Sequence, residues 1–149
     1  MYKHILIATD GSELAGKGVD AGLALAKALQ AQATLVTVSE PWQDLMPGDP
    51  SAMALSCELR DEHRTAKRAE AEGVIAAAQA RAATAGVALD AVHVPDRVPA
   101  DAILDTAAER GADLVVMASH GHRGLRKLLL GSQTQAVVSR GTLPVLVVR

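Results

Sequence analysis

Leu114-Val115-Val116-Met117-Ala118-Ser119-His120-Gly121-His122-Arg123-Gly124-Leu125-Arg126-Lys127-Leu128-Leu129-Leu130-Gly131-Ser132-Gln133 is the stretch on which the fold turns. It opens with an unbroken apolar run, Leu114 to Ala118, of the kind found in strands covered on both faces. A glycine-bearing loop follows, and Ser132 then starts a last helix of one to two turns. Such a strand-to-helix turn leaves backbone N–H groups free where an anion can sit, and phosphate is the obvious candidate. Gly121 and Gly131 allow close backbone approach or positive φ, and Ser132 can cap the last helix or donate its hydroxyl to a phosphate oxygen. The residues alone leave a second reading open, in which these glycines only make turns.

Outward from this stretch, short β-rich runs alternate with longer Ala-rich helical ones, the signature of βαβ units and a parallel sheet. The strands are His4 to Ala8, Thr34 to Ser39, Leu89 to Val94, Leu114 to Ala118 and Val145 to Val148. The first helix runs from Glu13 to Gln30, N-capped by Ser12, with Ala15, Val19, Leu23, Ala26 and Leu29 on one face. The second runs from Leu59 to Thr84, with Gly86 beyond its end, and the third from Pro99 to Arg110, with Gly111 beyond. Between strand two and helix two lies Glu40 to Cys57, a long loop carrying three prolines, of a length that suits a lid or binding segment.

Composition narrows the function. The chain has 149 residues, enough for one domain that buries roughly two-thirds of its unfolded surface. The apolar fraction of 49% is aliphatic, with no Phe, one Trp and one Tyr. Aromatic platforms for single-stranded nucleic acid are therefore missing, and the net charge of -2 also argues against a nucleic-acid partner. Cys57 is the sole cysteine, which fits a reducing compartment. The apolar run before Thr9-Asp10-Gly11 is too short for a signal peptide or membrane span, so a soluble, cytoplasmic protein is expected.

The glycine loop resembles the phosphate motif of the universal stress protein family, G-x2-G-x9-G-[ST]. Gly121, nine intervening residues, Gly131 and Ser132 match it, while Ala118 stands at the first glycine position. The alternative frame from Gly121 to Gly124 leaves only six residues before Gly131. Ile5 to Ser12, Ala112 to Met117 and Leu143 to Val148 resemble the family's first, fourth and last strands, so the likeness spans nearly the whole chain. It implies a single-domain α/β fold, an open parallel five-stranded sheet of order 3-2-1-4-5 flanked by four helices. In that order the sheet reverses between strands one and four, where ligands bind beyond the strand C-termini.

The resemblance further implies ATP as ligand, with Mg, and a homodimer acting in stress response or regulation. Asp10 would lie near the adenosine and Val38 would offer backbone contacts to adenine. The implied nucleotide site comprises Ala8, Thr9, Asp10, Val38, Met117, Ala118, Gly121, Gly131, Ser132 and Gln133. Micromolar affinity needs about 8 kcal/mol, and a helix N-terminus supplies only about 0.3 to 1 kcal/mol per favourable charge. An adenine buried against Val38, Ala8 and Met117 must therefore supply much of the rest.

Other constellations read as bland. Asp10 as a phosphoacceptor lacks clustered acids beside it and a Lys on the last strand. His120 and His122 give at most half a tetrahedral metal set. His4, His63 and His93 read as ordinary strand or surface residues. Arg123, Arg126 and Lys127 serve either phosphate or solubility. Val145 to Val148 forms an apolar sheet edge, which homodimerisation would cover. No general base is evident. Slow ATP hydrolysis or phosphotransfer, and a dimeric interaction module without nucleotide, stay open as alternatives.

Overall fold

The strand sequences divide their side chains between two cores, and that division builds the layers. In the computed structural model, which describes residues 1–43, 53–121 and 130–149, the element order is β1 (His4–Ala8), α1 (Glu13–Leu29), β2 (Gln32–Val38), α2 (Met53–Ala85), β3 (Leu89–Val94), α3 (Pro99–Arg110), β4 (Leu114–Ala118), α4 (Ser132–Arg140) and β5 (Val145–Val148). All pairings are parallel and the sheet order is β3-β2-β1-β4-β5. The expected fold is observed.

Successive strand residues point to opposite faces. Ile5, Ile7, Leu35 and Val116 thus join Val19, Leu23, Ala78 and Ala82 beneath α1 and α2. Leu6, Ala8, Val36, Val115 and Met117 join Ala100, Ile103 and Val137 beneath α3 and α4. Leu6 and Val115 are fully buried, so truncating either to Ala would cost about 2 to 5 kcal/mol. α1 sits low on the sheet because its contact ridge carries glycine. A Cβ at Gly22 would come within 2.7 Å of the Ile7 side chain.

The helix ends explain the boundaries. Ser12 caps α1 by accepting from the Ala15 N–H at 3.2 Å, as expected. Gly111 closes α3 in the left-handed region at φ 64°. Three expectations are corrected. β2 begins at Gln32 rather than Thr34, because its first residue pairs with His4 of β1. α2 begins at Met53 rather than Leu59, so the loop after β2 is shorter than Glu40 to Cys57, and positions 44–52 lie outside the described residues. α4 spans nine residues, longer than one to two turns, with Val137 anchoring it in the core.

Candidate functional site

At the switch point between β1 and β4 the chain leaves the sheet in opposite directions, and the gap opens into a cleft of about 780 Å³. All ten residues singled out from sequence line it: Ala8, Thr9, Asp10, Val38, Met117, Ala118, Gly121, Gly131, Ser132 and Gln133.

Asp10 is fixed by the turn that starts α1, where its Oδ1 accepts from the Ser12 N–H at 3.0 Å. Thr9 donates its N–H to the Val36 carbonyl at 3.0 Å, the last bond of the β1–β2 ladder. Val38 lies two residues further along β2. Backbone groups of alternate residues face the same neighbour, so Val38 presents its N–H and carbonyl toward β1 where β1 has already turned away. Among the described residues no backbone group beyond β1 pairs with that edge, which suits a planar hydrogen-bonding ligand.

The glycine loop is held at both ends by the Gly131 N–H donating to the Ser119 carbonyl at 2.8 Å. Of the two expected reasons for the glycines, close backbone approach and positive φ, only the second is corrected. Neither has positive φ: Gly131 is at -60°, and the positive-φ glycines among the described residues are Gly11, Gly86 and Gly111. Their requirement is steric. A Cβ at Gly121 would overlap Oδ2 of Asp10, and one at Gly131 would lie 3.3 Å from the Ser119 carbonyl oxygen.

Ser132 does not cap α4. Gly131 occupies the cap and Ser132 is the first helical residue, so no side-chain acceptor serves the helix start. Gly131, Ser132, Gln133 and Thr134 at the helix start line the cleft, and the free N–H groups of a helix N-terminus there suit an anion. Gln133 has a second task. Its Oε1 accepts from the Ala100 N–H at 2.9 Å and so caps α3, whose own N-cap Val98 offers no side-chain oxygen. Thr134 donates its hydroxyl to the Ala118 carbonyl at 3.0 Å, locking α4 onto the end of β4.

The cleft's outer wall was not foreseen. His63, Lys67, Glu70, Ala71 and Val74 of α2 line it, together with Trp42 from the segment after β2. The reading of His63 as an ordinary surface residue is therefore corrected, whereas His4 and His93 are engaged within the sheet by Thr34 and Ser39, each at 2.8 Å. The lone tryptophan just past a strand end was the available signal for this wall; nothing in the α2 sequence marked its facing side. His122, Arg123, Arg126 and Lys127 lie outside the described residues.

No group of three or more His, Cys, Asp or Glu among the described residues could hold a metal ion by itself. Mg²⁺ habitually takes one or two carboxylates plus substrate phosphates, and Asp10, which lines the same cleft as the α4 N-terminus, is a carboxylate of the kind that shared mode uses. No helix among the described residues is long and apolar enough to cross a membrane.

Comparison with known proteins places this geometry. The universal stress protein family profile matches residues 1–149. A universal stress protein of Bacillus subtilis, YxiE, is 32% identical over 149 residues, covering 100% of both chains. The structure of the universal stress protein UspA from Lactobacillus plantarum superimposes with a TM-score of 0.80 at 26% identity, covering 99% of this chain and 98% of that one. A universal stress protein in complex with cAMP superimposes with a TM-score of 0.69 at 25% identity, covering 99% of this chain and 97% of that one.

Proposed function

This chain belongs to the universal stress protein family, and from that premise we propose that its cleft binds an adenine nucleotide, ATP with Mg, in a cytoplasmic homodimer that acts in stress response. The observation that carries the reading is the meeting of ten residues from four separate segments in one cleft at the sheet's switch point. The complex of a related protein with cAMP supports an adenine nucleotide as the ligand class.

The phosphates would take the α4 N-terminal N–H groups and the Ser132 hydroxyl. The adenine would lie against Ala8, Val38 and Met117, with the Val38 backbone reading its edge, and Asp10 would meet the ribose or the Mg²⁺. The dimer would form through β5, whose Leu146 is 40% exposed on an apolar edge strand.

One thermal experiment tests both parts, run at several concentrations of Mg-ATP and of protein. Ligand at a hundred times Kd stabilises by about 2.7 kcal/mol, which for a chain of this size is a midpoint rise of about 5 to 10 °C. A Gly131→Val, Ser132→Ala double variant should show no rise. An unchanged midpoint in the parent at saturating Mg-ATP would refute the nucleotide reading. A midpoint independent of protein concentration would refute the dimer.

A further inference from the structure

We propose that His63 is a base-contacting residue of the nucleotide site, hydrogen-bonding the base of the bound nucleotide through Nε2 while Trp42 covers the same end of the cleft. This rests on the nucleotide reading of the cleft.

The motivating observation is an orphan. His63 Nε2 is buried and has no hydrogen-bond partner among the described residues. Native structures keep few such atoms, and each calls for a reason, of which an awaited ligand is one. The rest of α2 shows no comparable defect among its described residues. His63 lines the cleft, and its ring meets Trp42 edge to face, with centroids 5.2 Å apart and planes at 63°. The pair thus builds a partly aromatic wall with one unsatisfied nitrogen, in a chain otherwise nearly free of aromatics.

Position assigns that wall to the base. The glycine loop follows β4 and Trp42 follows β2, with β1 between them. Neighbouring strands lie about 4.8 Å apart, so the two walls are separated by about 10 Å, the span of a sugar with its base. Phosphates at Gly131 and Ser132 therefore direct the heterocycle toward Val38, Trp42 and His63. A heterocycle edge carries both ring acceptors and donors, and a neutral imidazole Nε2 serves either according to its tautomer. Lys67, one turn along α2, is paired with Glu70 at 2.7 Å, whereas His63 Nε2 is the buried side-chain atom without a partner among the described residues.

The test compares the parent, His63→Phe and His63→Gln for binding of ATP and of AMP by calorimetry, with the emission of Trp42, the chain's one tryptophan, as a second signal. Phe keeps the ring against Trp42 and removes the nitrogen. It should weaken both ligands by the same factor, about threefold to tenfold, while Gln restores part of the loss. The ligand-free midpoint and circular dichroism report whether each variant folds, and His63→Leu repeats the comparison should Phe fail to fit. Equal affinities in parent and His63→Phe would overturn the inference and leave the nucleotide reading standing. Weakening of ATP but not of AMP would put His63 at the phosphates and overturn its assignment to the base. A parent that binds neither ligand would overturn both.

Discussion

Gly121 and Asp10 form one unit, because each determines what the other can be. A Cβ at position 121 meets the far end of a short side chain, so Asp10 can yield, but only by rotating its carboxylate off the Ser12 N–H that it accepts at 3.0 Å. Gly121→Ala should therefore destabilise the fold by about 1 kcal/mol, the worth of that bond. In an Asp10→Ala background the same change should cost less than about 0.5 kcal/mol, since the obstacle is gone. Urea unfolding of the four proteins reads this coupling directly, and strictly additive costs would show that the two residues do not interact. The residue scale is also where sequence reasoning was sound in place and left two causes open. It selected Gly121 and Gly131 for close approach or positive φ, and both have ordinary φ and are needed for lack of a side chain. Spacing records that a glycine is required and is silent on which neighbour requires it.

At the scale of elements, strands were legible and α2 was only partly so. Strand boundaries followed continuous apolar runs, and four of five were read at both ends, because burial on both faces leaves little choice of residue. α2 spans 33 residues, about 50 Å at 1.5 Å per residue, against about 23 Å for β2. Its first turns therefore extend past the sheet, and its first buried residue among those described is Ala71. An overhanging helix needs no apolar stripe, so periodicity could neither place its start nor reveal that His63 and Lys67 face the cleft. Gly73 reflects the same slack. It is interior to α2, and an added Cβ there meets nothing within 4 Å. Gly73→Ala should stabilise the protein by about 0.5 to 1 kcal/mol through helix propensity, raising the midpoint by about 1 to 4 °C. A lower midpoint would mean that the helix relies on glycine there, against the open space observed.

For the whole molecule, the sheet is fastened by polar groups near its two ends, and both fasteners weaken in acid. At the N-terminal edge Asp113 accepts from the Lys3 N–H at 2.8 Å and the His4 N–H at 3.1 Å, tying the start of β1 to β4. The Lys3 bond foremost, then that of His4, holds its carboxyl below the ordinary carboxylate range. At the other end His93 of β3 bonds Ser39 just beyond β2. Burial first, then the Arg68 charge, lowers its imidazole pKa against the opposing pull of Glu72 and Asp96. In both groups the folded state binds protons less readily than the unfolded chain, so stability is lost as pH falls. His93 begins to act below about 6.5, the unfolded imidazole value, and Asp113 below about 3.9. Acid should therefore loosen the β2–β3 end before the β1–β4 end. Asp113→Asn supplies one acceptor where the carboxylate supplied two and sets an amide donor against a backbone donor. It should be less stable than the parent at neutral pH, and the gap should close as the parent's carboxylate protonates. Urea midpoints of the two proteins across the acid range measure the gap. One that stays constant into strong acid would mean that the Asp113 charge contributes nothing, and that the β1–β4 junction is held by its backbone ladder and apolar packing alone.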